Sequence, residues 1–251
     1  CIGQGVLSTG ENMPNEWIDA DTHHKIVRLT NNNRSNLSFY FHNNPFVENK
    51  MVYYSTEKTV APAAKQETYN SNANDRQLYL LDLKTLKSER LTNSVNPIQG
   101  EIVSPKRNEV FYQAKDSVFA VNLSTKKQRL VYVFPDDFKA SITTINADGS
   151  LLAGAKSSDA EKEIFKNNPD KSSYFNLIYE AKLPRTLFTI DINTGQLNKI
   201  FTDSAWLNHI QFSPTDPSLL MFCHEGPWHK VDRIWTINVA NKEIKLIHKR
   251  T

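Results

Sequence analysis

One phrase recurs four times along this chain and leaves little choice of fold. LYLLDLKTLKSERLT begins at Leu78, VFAVNLSTKKQRLVY at Val118, LFTIDINTGQLNKIFT at Leu187 and IWTINVANKEIKLIH at Ile234. Each is an alternating apolar strand, a polar turn led by Asp or Asn, and a second strand. Two alternating runs joined by turn chemistry make a β-hairpin. The copies start 40, 69 and 47 residues apart. The long interval holds SSDAEKEIFKNNPDKSSYF, a polar excursion from the repeat.

A second phrase precedes each hairpin. SPKRNEVFYQ starts at Ser104, NADGSLLAGA at Asn146 and SPTDPSLLMFC at Ser213, with a looser copy, NPFVENKMVYYS, from Asn44. Each is a turn followed by a short apolar strand. One unit is therefore an inner strand, a turn, another strand and an outer hairpin. Four strands in about 40 to 50 residues is the signature of a β-propeller blade. A β-sandwich also strings short strands together, but it has no reason to repeat a phrase. The expected fold is all-β: a propeller of four-stranded blades over residues 23–251, after a tail at 1–22. HKIVRLT, from His24, ends like an outermost blade strand yet comes first, as in propellers whose first strand completes the last blade. Only four to five blades can be counted, so the sequence predicts an incomplete, C-terminally truncated ring. Its free sheet edge would favour self-association.

Composition excludes several classes. The 251 residues are 39% hydrophobic, enough for a core. A net charge of +3 is mild and argues against a nucleic-acid partner, which calls for a concentrated basic patch. No apolar run approaches the roughly 18 residues that cross a membrane. Two distant cysteines, Cys1 and Cys223, make no disulfide framework. CIGQG at the start reads as the remnant of a bacterial lipoprotein signal cut before its lipid-bearing cysteine. The expectation is a periplasmic protein of a Gram-negative bacterium, anchored through Cys1. The bland alternative is that the numbering simply starts there.

FCHEGPWHKVDRIW, Phe222 to Trp235, stands out from this plain background. Turns on one face of a propeller open into its central funnel, and Gly226-Pro227 suits a tight bend there. His224, His229 and Arg233 are candidates to face a ligand. Trp228 is able to stack on one or could equally be a core aromatic, whereas Trp235 reads as core. His209, in WLNHIQF, enters from the start of the same unit. His42, in FYFHNNPF, begins the first blade in the same way and is a weaker candidate, and His23 and His24 read as surface residues. No Ser-centred elbow, HExxH or phosphate-cradling glycine loop occurs.

WLNHIQFSPTDPSLLMFCHEGPWHKVDRIW, Trp206 to Trp235, resembles oligogalacturonate lyase, a family of seven-bladed propellers that degrade short pectin fragments. HEGP followed by VD and R-x-W carries the resemblance most specifically; FYFHNNPF, LYLLDL and PDDF agree less specifically. It implies β-elimination on a 4-linked oligogalacturonide. A histidine base removes the C5 proton, a divalent metal such as manganese grips the carboxylate, and the C4 oxygen leaves with formation of a C4–C5 double bond. Carried onto this chain, it makes Arg233 the carboxylate clamp and places His224 and His209 in the same funnel. His229 and Trp228 align less cleanly.

The same resemblance puts the base histidine and the metal ligands beyond residue 251. No catalytic residue and no metal ligand is therefore expected within this chain, and it is expected to be inactive alone. The alternative is a propeller that binds oligouronides without turnover, or a TolB-like interaction propeller.

Overall fold

The computed structural model describes residues 14–32, 34–59 and 75–250. The chain divides into two units, Cys1–Phe39 with Pro45–Pro97, and Tyr40–Asn44 with Ile98–Thr251, where the sequence predicts one repeat domain. Cys1 and the CIGQG segment lie outside the described residues.

In the first unit, β1 (Glu16–Ile18) and β2 (Lys25–Val27) pair antiparallel as a two-stranded sheet. This hairpin starts within the segment read as a tail, and HKIVRLT supplies its second strand. A five-stranded sheet follows, built from β3 (Arg34–Leu37), β4 (Phe46–Val47), β5 (Lys50–Thr59), β6 (Arg76–Asp82) and β7 (Ser88–Arg90). Its order is β3-β5-β6-β7, with β4 pairing β5. Met51, Tyr53, Tyr79 and Leu81 form a core on one of its faces.

The second unit holds three four-stranded antiparallel sheets. The first is β8 (Ile98–Ser104), β9 (Glu109–Ala114), β10 (Ser117–Asn122) and β11 (Gln128–Val133). The second is β12 (Ser141–Ile145), β13 (Leu151–Lys156), β14 (Arg185–Asp191) and β15 (Leu197–Asp203). The third is β16 (Trp206–Phe212), β17 (Leu219–Glu225), β18 (Ile234–Asn238) and β19 (Ile244–His248). Neighbours in each sheet are neighbours in sequence. The first strands of adjacent sheets touch: Phe212 N donates to Thr144 Oγ1 at 3.1 Å, and Thr143 Oγ1 donates to the Ile210 carbonyl at 3.4 Å.

The sheets pack face on face. Ile102, Phe111, Phe134 and Phe188 fill the layer between the first and second sheets. Leu187, Leu207, Phe222 and Ile237 fill the layer between the second and third. Leu187 and Phe188 are consecutive in β14 and point to opposite faces, so both enter a core. This is why these strands read as compact apolar runs rather than strict alternations. A two-layer sandwich would bury one face of each sheet, whereas the middle sheet buries both. The arrangement is all-β and propeller-like.

The polar excursion is helical. α1 (Asp159–Asn167) and α2 (Lys171–Ala181) lie between β13 and β14. Ser158 caps α1 by accepting from Glu161 N at 3.2 Å. Glu161 is buried and pairs with Arg185, whose Nε donates to Glu161 Oε2 at 2.7 Å and whose Nη1 donates to the Leu207 carbonyl at 2.5 Å. A buried pair with this many hydrogen bonds is satisfied, and removing one partner would strand the other.

The four hairpins share one turn. Asp82, Asn122, Asp191 and Asn238 each place Oδ1 against the backbone N–H groups two and three residues on, at 2.8 to 3.2 Å. The residue four positions on takes a left-handed conformation: Leu86, Lys126, Gly195 and Lys242. Three of these carry a Cβ at a conformational cost of about 1 kcal/mol each. Backbone and hydroxyl donors from Thr85 and Thr194 hold the Asp82 and Asp191 carboxyls below the ordinary aspartate range. With the folded value below the unfolded one, this contribution is present above about pH 4 and is lost as pH falls through the folded value. Asn122 and Asn238 make the same turn without a charge. We therefore expect the double substitution Asp82→Asn, Asp191→Asn to lower the denaturation midpoint slightly at neutral pH and to weaken its fall in acid, so that the two proteins converge at low pH. Parallel acid limbs for the two proteins in urea titrations would refute this.

Candidate functional site

β16 is not a regular strand. Its pairing with β17 slips between Asn208 and Gln211, and His209, inside the slip, has φ 47°. The first strand of the first sheet slips at the same place, between Gln99 and Ile102, and there the left-handed residue is Gly100. A bulge with a left-handed residue is what glycine provides without cost. Histidine pays roughly 1–3 kcal/mol to occupy such a conformation. In return, the bulge turns the imidazole out of the strand towards the end of β17.

There it meets Glu225, the last residue of β17 and buried. His209 Nε2 lies 3.1 Å from Glu225 Oε2. The other carboxylate oxygen, Oε1, lies 2.7 Å from Arg233 Nη1. The same Nη1 donates to the Gly226 carbonyl at 3.1 Å. Both contacts of the guanidinium therefore use one nitrogen, and Nε and Nη2 make no hydrogen bond among the described residues. One edge of the fork is fixed and the other carries free donors, the geometry that takes an incoming carboxylate through two parallel bonds. The Arg233 guanidinium also sits 5.8 Å from the centre of the Trp228 ring, which is 81% exposed. Cys223, half-buried beside this group, has its thiol pushed up to about 11 by burial and is neutral.

The turn that carries Arg233 is shaped by α2. Tyr179 packs on Gly226 so closely that an added Cβ would lie 2.6 Å from the Tyr179 ring. Only glycine fits between helix and strand at this point. Lys230 N then donates to the Pro227 carbonyl at 2.8 Å and closes the bend.

Tyr40, Phe41 and His42, a short strap in the same unit, surround His209. The Tyr40 and His209 rings stack at 6.3 Å, tilted by 10°; the His42 and His209 rings meet edge to face, also at 6.3 Å. Burial, with a smaller contribution from the nearby His209, pushes the His42 pKa below the ordinary imidazole value. Tyr40, His42, Ser141, Ser157, Asn208 and His209 are among the residues lining a cavity of about 310 Å³.

The sequence candidates thus separate. Arg233 and His209 come together on Glu225, with Trp228 beside them. His224 stands apart from that cluster: it stacks on Trp235 at 4.8 Å, and its buried Nε2 lies 4.0 Å from Asp203 Oδ2 with no hydrogen-bond partner. Burial pushes its pKa down, against the pull of Asp203 and Asp232. Strand alternation is the reason: Leu220, Phe222 and His224 share the face packed on the second sheet, while Glu225 points the other way. His229 is exposed, and its carbonyl accepts from Arg250. Trp235 joins the core and donates to the Asp232 carbonyl at 2.6 Å. Two contributors escaped assignment from sequence. Glu225 was hidden in HEGP beside a histidine that drew attention, and Tyr40 and Phe41 were hidden in FYFHNN, where His42 alone was a candidate. Among the described residues no group of three or more His, Cys, Asp or Glu side chains could hold a metal ion, so no described residues fit a metal and no step is assigned to one.

A family model described as oligogalacturonate lyase matches residues 13–251. The oligogalacturonate lyase of Dickeya dadantii is 32% identical over 173 residues, 67% of this chain and 44% of that protein. The oligogalacturonide lyase of Pectobacterium atrosepticum is 28% identical over 239 residues, 92% of this chain and 57% of that protein. Among solved structures, an oligogalacturonate lyase from Vibrio parahaemolyticus superimposes with a TM-score of 0.75 at 27% identity, covering 94% of this chain and 59% of that one. An oligogalacturonate lyase in complex with manganese gives 0.75 at 26% identity, covering 97% and 62%. The chain spans about half the length of the curated relatives it matches.

The left-handed backbone of His209 sets an expectation. His209→Gly should leave the thermal midpoint unchanged or raised, as relief of backbone strain offsets the lost contact to Glu225. A midpoint lowered by several degrees would mean that the imidazole supports the fold.

Proposed function

Because the chain belongs to the oligogalacturonate lyase family, we propose that the Glu225–Arg233–His209 cluster binds the carboxylate of a 4-linked oligogalacturonide. One observation carries this reading: among the described residues, Arg233 is anchored through Nη1 alone, and its Nε and Nη2 make no hydrogen bond. A galacturonate carboxylate is planar, with two acceptors spaced to meet that edge. Glu225 fixes the guanidinium in advance, so little rotamer freedom is lost on binding. His209 offers a further imidazole beside the same carboxylate.

The whole protein's activity follows as part of the proposal. In β-elimination the C5 proton, α to the carboxylate, is removed and the C4–O bond breaks, leaving a C4–C5 double bond. The charge that builds up during proton loss spreads onto the carboxylate. A guanidinium paired with that group favours the enolate-like state over the ground state. None of the described residues is assigned as the base, and none is assigned to a metal. His224, His229 and Trp228, the remaining sequence candidates, are read as follows: His224 supports the packing behind the site, His229 lies in its exposed turn, and Trp228 borders the clamp. A seven-bladed ring, a divalent metal such as manganese and a place in pectin degradation belong to the same proposal for the whole protein.

Calorimetric titration with digalacturonate tests the clamp. The wild-type chain should bind, and Arg233→Ala should weaken binding on the order of ten- to a hundredfold. Arg233→Lys should restore little, because an ammonium cannot make the paired contact. Equal affinity in wild type and Arg233→Ala would end the proposal.

A periplasmic location with a lipid on Cys1, outside the described residues, is proposed from CIGQG alone. Mass spectrometry of the N-terminal peptide from the native host should find it acylated; an unmodified Cys1 in the mature protein would refute the anchor.

A further inference from the structure

Phe41 is the most exposed phenylalanine among the buried and exposed apolar side chains of the described residues, at 79%, and its neighbour Tyr40 is 45% exposed. Leaving a phenyl ring in water forgoes roughly 1.5–3 kcal/mol of burial. The ring is not on a loose end. Asn43 N donates to the Tyr40 carbonyl at 2.9 Å, closing the strap into a turn. Asn43 Nδ2 donates to the Glu101 carbonyl in β8 at 3.1 Å, and Gln211 Nε2 donates to the His42 carbonyl from β16 at 3.4 Å. The strap is tied to two inner strands, and the tie holds its apolar side outwards.

The rings are tiled. Tyr40 and Phe41 are 4.3 Å apart, and each lies just over 6 Å from His209, at 6.3 and 6.2 Å. The Tyr40 and Phe41 rings are inclined to one another by 46°, so they present two angled apolar faces that end at the imidazole sharing Glu225 with Arg233. A fixed aromatic face bordering a carboxylate clamp suits a pyranose ring that follows a charged one. In the galacto configuration the C–H groups at C3, C4 and C5 gather on one side of the ring. That side buries apolar area against aromatic carbon while the hydroxyls stay at the wet rim.

We propose that Tyr40 and Phe41 form a second sugar subsite, which stacks the galacto-configured unit next to the one whose carboxylate Arg233 holds. The proposal rests on the carboxylate reading of the Glu225–Arg233–His209 cluster and adds chain length and ring configuration to what the site selects. A single sugar in the clamp gains nothing from the platform, and an oligomer gains from both.

Calorimetric titrations with galacturonic acid, trigalacturonate and neutral 4-linked galactotriose test it on wild type, Phe41→Ala, Phe41→Trp and Arg233→Ala. Phe41→Ala should weaken trigalacturonate binding roughly tenfold, leave galacturonic acid unchanged and leave the thermal midpoint unchanged. Phe41→Trp should restore affinity, since it restores the flat face, and Arg233→Ala should weaken both acidic ligands. If Arg233→Ala weakens trigalacturonate and Phe41→Ala does not, the platform is wrong and the clamp stands. If Phe41→Ala weakens trigalacturonate and galactotriose alike while Arg233→Ala changes nothing, the platform stands and the clamp is wrong. Failure of the wild type to bind any of the three sugars overturns both.

Discussion

A sheet buried on both faces has no side on which to carry polar chemistry, and this constraint shapes the second unit. In β14, Leu187 and Phe188 face opposite cores, so neither face is left for function. Polar and charged groups are pushed to strand ends, turns and irregularities. His209 reaches the surface only because β16 breaks its pairing at that residue. Glu225 and Arg233 flank the turn at the end of β17. In the third sheet the polar cluster gathers where β16 bulges and where β17 ends.

The cluster is arranged against its local preferences. A histidine occupies a left-handed position that the neighbouring sheet gives to Gly100. A carboxylate is buried where it could have been solvated. Each choice costs free energy unless the partners are in place. Arg233 and His209 satisfy Glu225 together, and the Gly226 carbonyl gives Arg233 a second anchor. A rigid group with unspent donors loses less on binding than one that must be ordered by its ligand.

The hairpins were legible because each carries its own instructions. Asp or Asn at the first turn position, with period-2 alternation on either side, specifies the local structure without help from elsewhere. The helical excursion was not read as helical, although Ser158 and Glu161 carry the spacing of a capping box. Its main anchor, Glu161 to Arg185, spans 24 residues and leaves no local trace. In the site, Arg233 and His209 stood out as polar residues in an inner turn. His224 did not belong with them, and parity with Leu220 and Phe222 contained that information. Glu225 was missed because a buried acid between two basic groups is a property of the folded neighbourhood, invisible in HEGP alone. The division at Asn44 and Ile98 left no mark on the repeat.

The four outer corners have a practical side. Each closes on its own backbone: Leu86, Lys126, Gly195 and Lys242 return their N–H to the residue that opened the turn, at 2.8 or 2.9 Å. Nothing beyond a handful of atoms is needed to hold such a corner. These are places where a fluorophore, an epitope or a new chain terminus can be grafted without touching the Glu225–Arg233–His209 cluster.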